Sequence, residues 1–107
     1  MKMQRENYEK FIELFTPPSD AKLLCCILYL YENGIKEFTQ KDLSNHGYLK
    51  GWSIHFSLHR LTQKGIVRYK YTLPLRNGGR VKIFELNEQS EVVQKLIELF
   101  RVVVRGR

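Results

Sequence analysis

The spacing of apolar residues switches from helical to alternating at Gly65, and that change narrows the possible folds sharply. Up to Lys64 apolar side chains recur at helical intervals; from Ile66 they alternate. Ile66 to Leu73 reads IVRYKYTL, with Val67, Tyr69 and Tyr71 opposite Arg68 and Lys70, and Val81 to Leu86 reads VKIFEL. Pro74 and Asn77-Gly78-Gly79 lie between them. Two period-two runs around an Asn-Gly-Gly turn predict a β-hairpin whose tip is flanked by Arg76 and Arg80. Helices before and after it make the predicted class α+β, mostly α.

Four helices are expected ahead of the hairpin. Residues 4–16 set Tyr8, Phe11, Ile12 and Phe15 at helical spacing, with Leu14 beside them, until Pro17-Pro18 ends the segment. Ser19 or Asp20 is expected to cap a second helix over 21–32. Leu23, Leu24, Cys25, Cys26, Ile27, Leu28, Leu30 and Tyr31 make it apolar nearly all round, which predicts a place in mid-core. Asn33-Gly34 stops it. Thr39 caps a short third helix over 39–45, with Asp42 as capping-box acid, Phe38 as staple and Leu43 as inward anchor; Asn45-His46-Gly47 ends it. The fourth helix, 52–64, turns Ile54, Leu58 and Leu61 inward. Its other face shows Ser53, His55, Phe56, Ser57, His59, Arg60, Gln63 and Lys64, and Gly65 supplies a positive-φ exit.

After the hairpin, Asn87 or Ser90 is expected to cap a last helix over 88–104. Its apolar residues, Val92 and Val93 through Val102, Val103 and Val104, cover more than one stripe. One small domain cannot cover that surface, so a partner subunit is expected.

Charge is distributed unevenly. The 107 residues hold 18 Lys and Arg against 11 Asp and Glu, a formal net charge of +7. Ten of those bases but only two of the acids fall between Lys36 and Lys82, while the remainder is nearly neutral. One contiguous basic segment predicts a positive face suited to a polyanion. With 43% hydrophobic residues, a single domain over 1–107 has material for one core. No run of ~18 apolar residues occurs, so no membrane span is expected, and the charged start MKMQRENYEKF lacks an apolar leader core.

The stretch Ser53 to Arg68, SIHFSLHRLTQKGIVR, carries a small polar residue and an aliphatic at Ser53-Ile54, then Leu58, Leu61-x-x-x-Gly65, the pair Ile66-Val67 and the base Arg68. It resembles the recognition-helix-to-wing stretch of bacterial and archaeal winged helix-turn-helix regulators such as the MarR-like group. Arg80 to Asn87 resembles the returning wing strand, with Leu86-Asn87 where the family commonly has Leu-Thr. The resemblance covers about residues 20–87. It implies a three-helix core plus β-hairpin wing, with 1–16 and 88–107 as added dimerisation helices. It further implies a homodimeric transcriptional regulator of double-stranded DNA, with 52–64 in the major groove and the wing, 73–82, on the neighbouring backbone or minor groove. Phe56 departs from the family, where many relatives carry a polar or basic residue.

On that reading Ser53, His55, Phe56, His59 and Arg60 face base edges, Arg60 offering two donors. Lys41, Lys50 and Lys64 suit phosphates, Arg76 and Arg80 the minor groove, and Arg68 and Lys82 its edges. The expected setting is the cytoplasm, associated with the nucleoid of a bacterium or archaeon, or with one of their viruses or plasmids. Two other readings stand beside it: a winged helix serving protein interaction inside a transcription or replication assembly, and an architectural protein coating duplex without sequence preference. Trp52 and the six Tyr could stack on single-stranded bases or equally fill a core. No catalytic set, cofactor or metal is expected. His55 and His59 share a helix face, but Phe56 stands where a zinc-protease glutamate would, and His46 is the only further imidazole. Cys25 and Cys26 diverge by about 100° on a helix, so one is expected in the core and the other on its fringe.

Overall fold

The computed structural model describes residues 5–46 and 49–106, with backbone alone at Arg5, Asn7, Tyr8 and His46. The expected roles of Gln4, of the Tyr8 and His46 side chains, of Gly47 and of Arg107 lie outside those residues. Five helices and one three-stranded antiparallel sheet make up the described chain, an α+β and mostly helical arrangement. The order is α1 (Arg5–Glu13), α2 (Pro18–Glu32), β1 (Glu37–Phe38), α3 (Gln40–His46), α4 (Gly51–Gln63), β2 (Val67–Pro74), β3 (Arg80–Leu86) and α5 (Glu91–Arg105).

Helix α2 begins earlier than its sequence signals imply. Pro18 occupies the first turn, where its missing N–H is no loss, and no side chain caps the end. Ser19 and Asp20 are therefore inside the helix, free to reach elsewhere. Nor is α2 enclosed on all sides: Cys25 and Tyr29 are exposed, and Leu23, Leu24, Ile27 and Leu30 form the buried face. Its end matches expectation, with Gly34 at φ 84° and Ile35 N–H donating to the Leu30 carbonyl at 2.9 Å.

The capping box of α3 forms in both directions. The Asp42 amide donates to Thr39 Oγ1 at 3.1 Å, and the Thr39 amide to Asp42 Oδ2 at 2.8 Å. Leu43 is fully buried beneath it. Helix α4 buries Ile54, Leu58 and Leu61, as its period requires, and Gly65 leaves it at φ 77°.

The hairpin forms as β2 and β3, closed by Leu75 N–H to the Gly79 carbonyl at 2.8 Å with Gly78 at φ 86°. Strict alternation fails in β2. Tyr69 pairs with Phe84 but Tyr71 with Ile83, so Lys70 is an extra residue in a bulge. Every later β2 residue changes sides, and Tyr71 no longer shares a face with Tyr69. β1, two residues long, lies below what periodicity can register; it exists because Glu37 and Phe38 pair with Glu85 and Phe84. The sheet order is β1-β3-β2.

Ser90, not Asn87, caps α5, its Oγ accepting from Val93 N–H at 3.4 Å. Asn87 instead closes the base of the hairpin, its Nδ2 donating to the Gly65 carbonyl at 3.1 Å and its amide to Ile66 at 2.9 Å. Val93, Leu96 and Ile97 anchor α5 in the core. Val92, Leu99, Val102, Val103 and Val104 stay exposed, while Arg101 and Arg105 reach Glu32 on α2.

Candidate nucleic-acid interface

Packing divides the basic segment into neutralised and unneutralised cations. The first neutralised group surrounds Asp20, whose side chain is wholly buried. Arg60 Nε lies 3.1 Å from both its carboxylate oxygens, Arg60 Nη2 2.9 Å from Oδ1, and Lys64 Nζ 3.2 Å from Oδ2. Ser57, placed on the exposed face from sequence, is buried in the same cluster; its hydroxyl donates to Ser19 Oγ and accepts from Arg60, both at 3.2 Å. Burial works to raise the Asp20 carboxyl, but hydrogen bonds from Arg60 and Lys64 outweigh it and hold the group below its ordinary range. Lys64 also donates to the Thr16 carbonyl at 2.9 Å. Arg60 and Lys64, expected to reach out to base and phosphate, therefore bind α4 to the start of α2.

The second neutralised group lies on the sheet. Arg68 pairs with Glu85 at 2.7 Å, and Lys70 with Glu37 at 2.5 Å and Glu85 at 3.5 Å. The bulge brings Tyr71 to the same side, its hydroxyl donating to Glu37 at 2.8 Å. The Lys70 hydrogen bond, with that of Tyr71, lowers the Glu37 carboxyl, and Glu37 in turn raises Lys70 and Tyr71.

Lys41, Lys50, Arg76, Arg80 and Lys82 have no acidic partner among the described residues. Three of them converge on a groove of about 520 Å³ between α3, α4 and the hairpin. Lys41 comes from α3, His55 and His59 from α4, and Arg80 and Lys82 from β3. Pairing of Tyr69 with Phe84 and of Thr72 with Lys82 sets these β3 side chains on the α4 side of the hairpin. Leu58, Tyr69 and Phe84 floor the groove, Tyr69 meeting Phe84 edge-on at 6.0 Å. Tyr69 and Thr72 hydroxyls are bonded to each other. No Asp or Glu lines it among the described residues. Gln40 Nε2 donates to the Gly51 carbonyl at 2.9 Å, fixing α3 against the start of α4 at the groove's end. A channel with three fixed cations, two imidazoles and no carboxylate is built to hold anionic groups.

The remaining expected residues fall outside the groove. Arg76 is exposed at the hairpin tip and Lys50 precedes α4. Ser53 is half-buried on the side of α4 away from His55. Phe56 is exposed, not folded into the core, and with Trp52 forms an outward aromatic pair, ring centroids 6.5 Å apart. Sequence reasoning left Trp52 and Asp20 out of the site. Asp20 carried a readable signal: it stands three, four and seven residues before Leu23, Leu24 and Ile27, on the buried stripe of α2, where an acid requires a counter-ion.

Cys25 is exposed and Cys26 packs half-buried against the core, where burial raises its thiol. Among the described residues no three His, Cys, Asp or Glu gather as metal ligands, and no helix is long and apolar enough to cross a membrane. The chain matches no model of a known protein family and no curated protein.

Proposed function

We propose that this protein is a winged helix that binds double-stranded DNA as a homodimeric transcriptional regulator. In this reading α2, α3 and α4 are the three-helix core, β1 completes the sheet, α4 is the reading helix, and the β2–β3 hairpin is the wing. The observation that carries it is the partition of charge. Arg60, Lys64, Arg68 and Lys70 are matched by Asp20, Glu37 and Glu85, whereas Lys41, Arg80 and Lys82 share an acid-free groove beside α4, with Lys50 and Arg76 unmatched outside it. Phosphates supply the anions such a groove lacks, and their neutralisation releases counterions.

The site set assigned from sequence is redistributed accordingly. Lys41, Arg80 and Lys82, with Lys50 and Arg76 at the margins, contact phosphate; His55, Phe56 and His59 present to the groove of the duplex. Arg60 and Lys64 position α4, and Arg68 and Lys70 brace the sheet. The homodimer rests on exposed Phe11 and Ile12 of α1 and on Val92, Leu99, Val102 and Val103 of α5. Two reading helices related by a twofold axis favour a pseudo-palindromic site.

Titration of the full chain at two salt concentrations, against selected and random duplexes, tests the reading. A regulator prefers one sequence at fixed salt. Equal affinity and slope for all duplexes would mark an architectural coat instead. Binding to neither duplex would favour a protein-interaction module, the reading to which exposed Leu73 and Leu75 on the hairpin lend themselves.

A further inference from the structure

The outward face of α4 is unusual for a helix that reads bases. Its only arginine, Arg60, has its Nε and one Nη2 committed to buried Asp20 and to Ser57. The bidentate donor that would distinguish guanine is thereby removed from the reading face. What α4 presents outward in its first two turns is Trp52, 71% exposed, and Phe56, 54% exposed. Phe56 is held by ring contacts on both sides, Trp52 at 6.5 Å and His55 at 5.5 Å. Two large apolar side chains in water carry a standing free-energy cost unless a partner covers them.

Charge identifies that partner. Lys50 lies just before Trp52, and Lys41, Arg80 and Lys82 line the groove that His55 and His59 share, all without acidic partners among the described residues. An apolar protein surface would have to desolvate these cations to reach the rings. A duplex satisfies both: phosphates meet the cations, and the major groove offers one apolar group on its base edges, the thymine C5-methyl. Residues in the N-terminal half of a reading helix are the ones that approach base edges.

We infer that Trp52 and Phe56 read thymine methyl groups in the major groove, so that the bound site carries thymines, not guanines, beneath the first two turns of α4. The inference rests on the duplex-binding reading above. It makes Trp52 and Phe56 the specificity-determining residues of α4, with His55 and His59 the exposed polar groups beside them.

The test uses the full chain and duplexes selected from a random pool. Each thymine in a selected half-site is replaced in turn by deoxyuridine, which removes the methyl and keeps base pairing. At one or two positions this should weaken binding about fourfold per contacted methyl, equivalent to ~0.8 kcal/mol for a buried methylene-sized group, while substitution in flanking sequence changes nothing. Phe56→Ala, at an exposed position that leaves the core intact, should bind thymine and uracil duplexes alike at its position, and Trp52→Ala likewise at the other. Selected sites indifferent to uracil, or a thymine preference that survives in both variants, would overturn the methyl-reading role while leaving duplex binding in place. Absence of binding to any duplex would overturn the duplex reading and this inference together.

Discussion

Asp20 shows how much one buried carboxylate decides. Enclosed and met by Arg60 and Lys64, it converts two residues of a basic helix into internal fastenings. Breaking a buried pair leaves an uncompensated charge at a cost of several kcal/mol, less where one partner is half-open and a second cation remains. Arg60→Ala should therefore cost about 2 kcal/mol, read as a lower urea midpoint. An unchanged midpoint accompanied by lost sequence discrimination would instead return Arg60 to the DNA. The acid response has a definite sign. The folded carboxyl sits below its ordinary range, so its contribution is complete above about pH 4 and fades as pH falls through the folded value. The stability of the parent protein should fall on that acid limb, and Asp20→Asn should flatten it; a difference confined to neutral pH would contradict this assignment.

Among the elements, the hairpin and α4 determine which cations are available. Alternation sets Arg68 and Lys70 on the side where Glu37 and Glu85 lie, the bulge at Lys70 adds Tyr71 to it, and β3 pairing turns Arg80 and Lys82 toward α4. Each neutralised phosphate contributes about 0.9 to the slope of log affinity against log salt. Arg80→Ala with Lys82→Ala should reduce that slope by about 1.8. Arg68→Ala with Lys70→Ala should leave it nearly unchanged, because those charges are already matched; equal effects from the two pairs would dissolve the distinction. Much of this level was readable in advance. The hairpin, its Gly78 turn, the Thr39–Asp42 capping box and the Gly65 exit each follow from a few neighbouring residues, and each formed. The bulge and β1 were not readable, because both are defined by the strand opposite and not by the residues themselves.

For the molecule entire, the unresolved balance is apolar surface. Helix α5 commits Val93, Leu96 and Ile97 to the core and leaves Leu99, Val102 and Val103 more than half exposed, while α1 leaves Phe11 at 62%. The principal extents, 59 × 32 × 26 Å, describe an elongated body with little interior to absorb these side chains. The proposed pairing of two copies through α5 and α1 would remove them from water. Sedimentation of the full chain should give a dimer at micromolar concentration, and Leu99→Glu with Val103→Glu should give a folded monomer with weakened duplex affinity, since one half-site then binds alone. A monomeric parent protein would show that these faces serve something other than self-association.

Apart from β1, element types and order, the helix stops and the single basic segment were already legible in the residues, because each depends on neighbours a few positions away and on backbone preferences that act locally. Which cations remain available was settled only on folding. Asp20 meets Arg60 across forty positions and Glu37 meets Lys70 across thirty-three, and no local pattern encodes a pairing made by the packing of one element on another. Ionic partners are chosen by proximity in space, so charge counted along a chain measures how many cations there are, whereas the tertiary arrangement decides which of them still face outward.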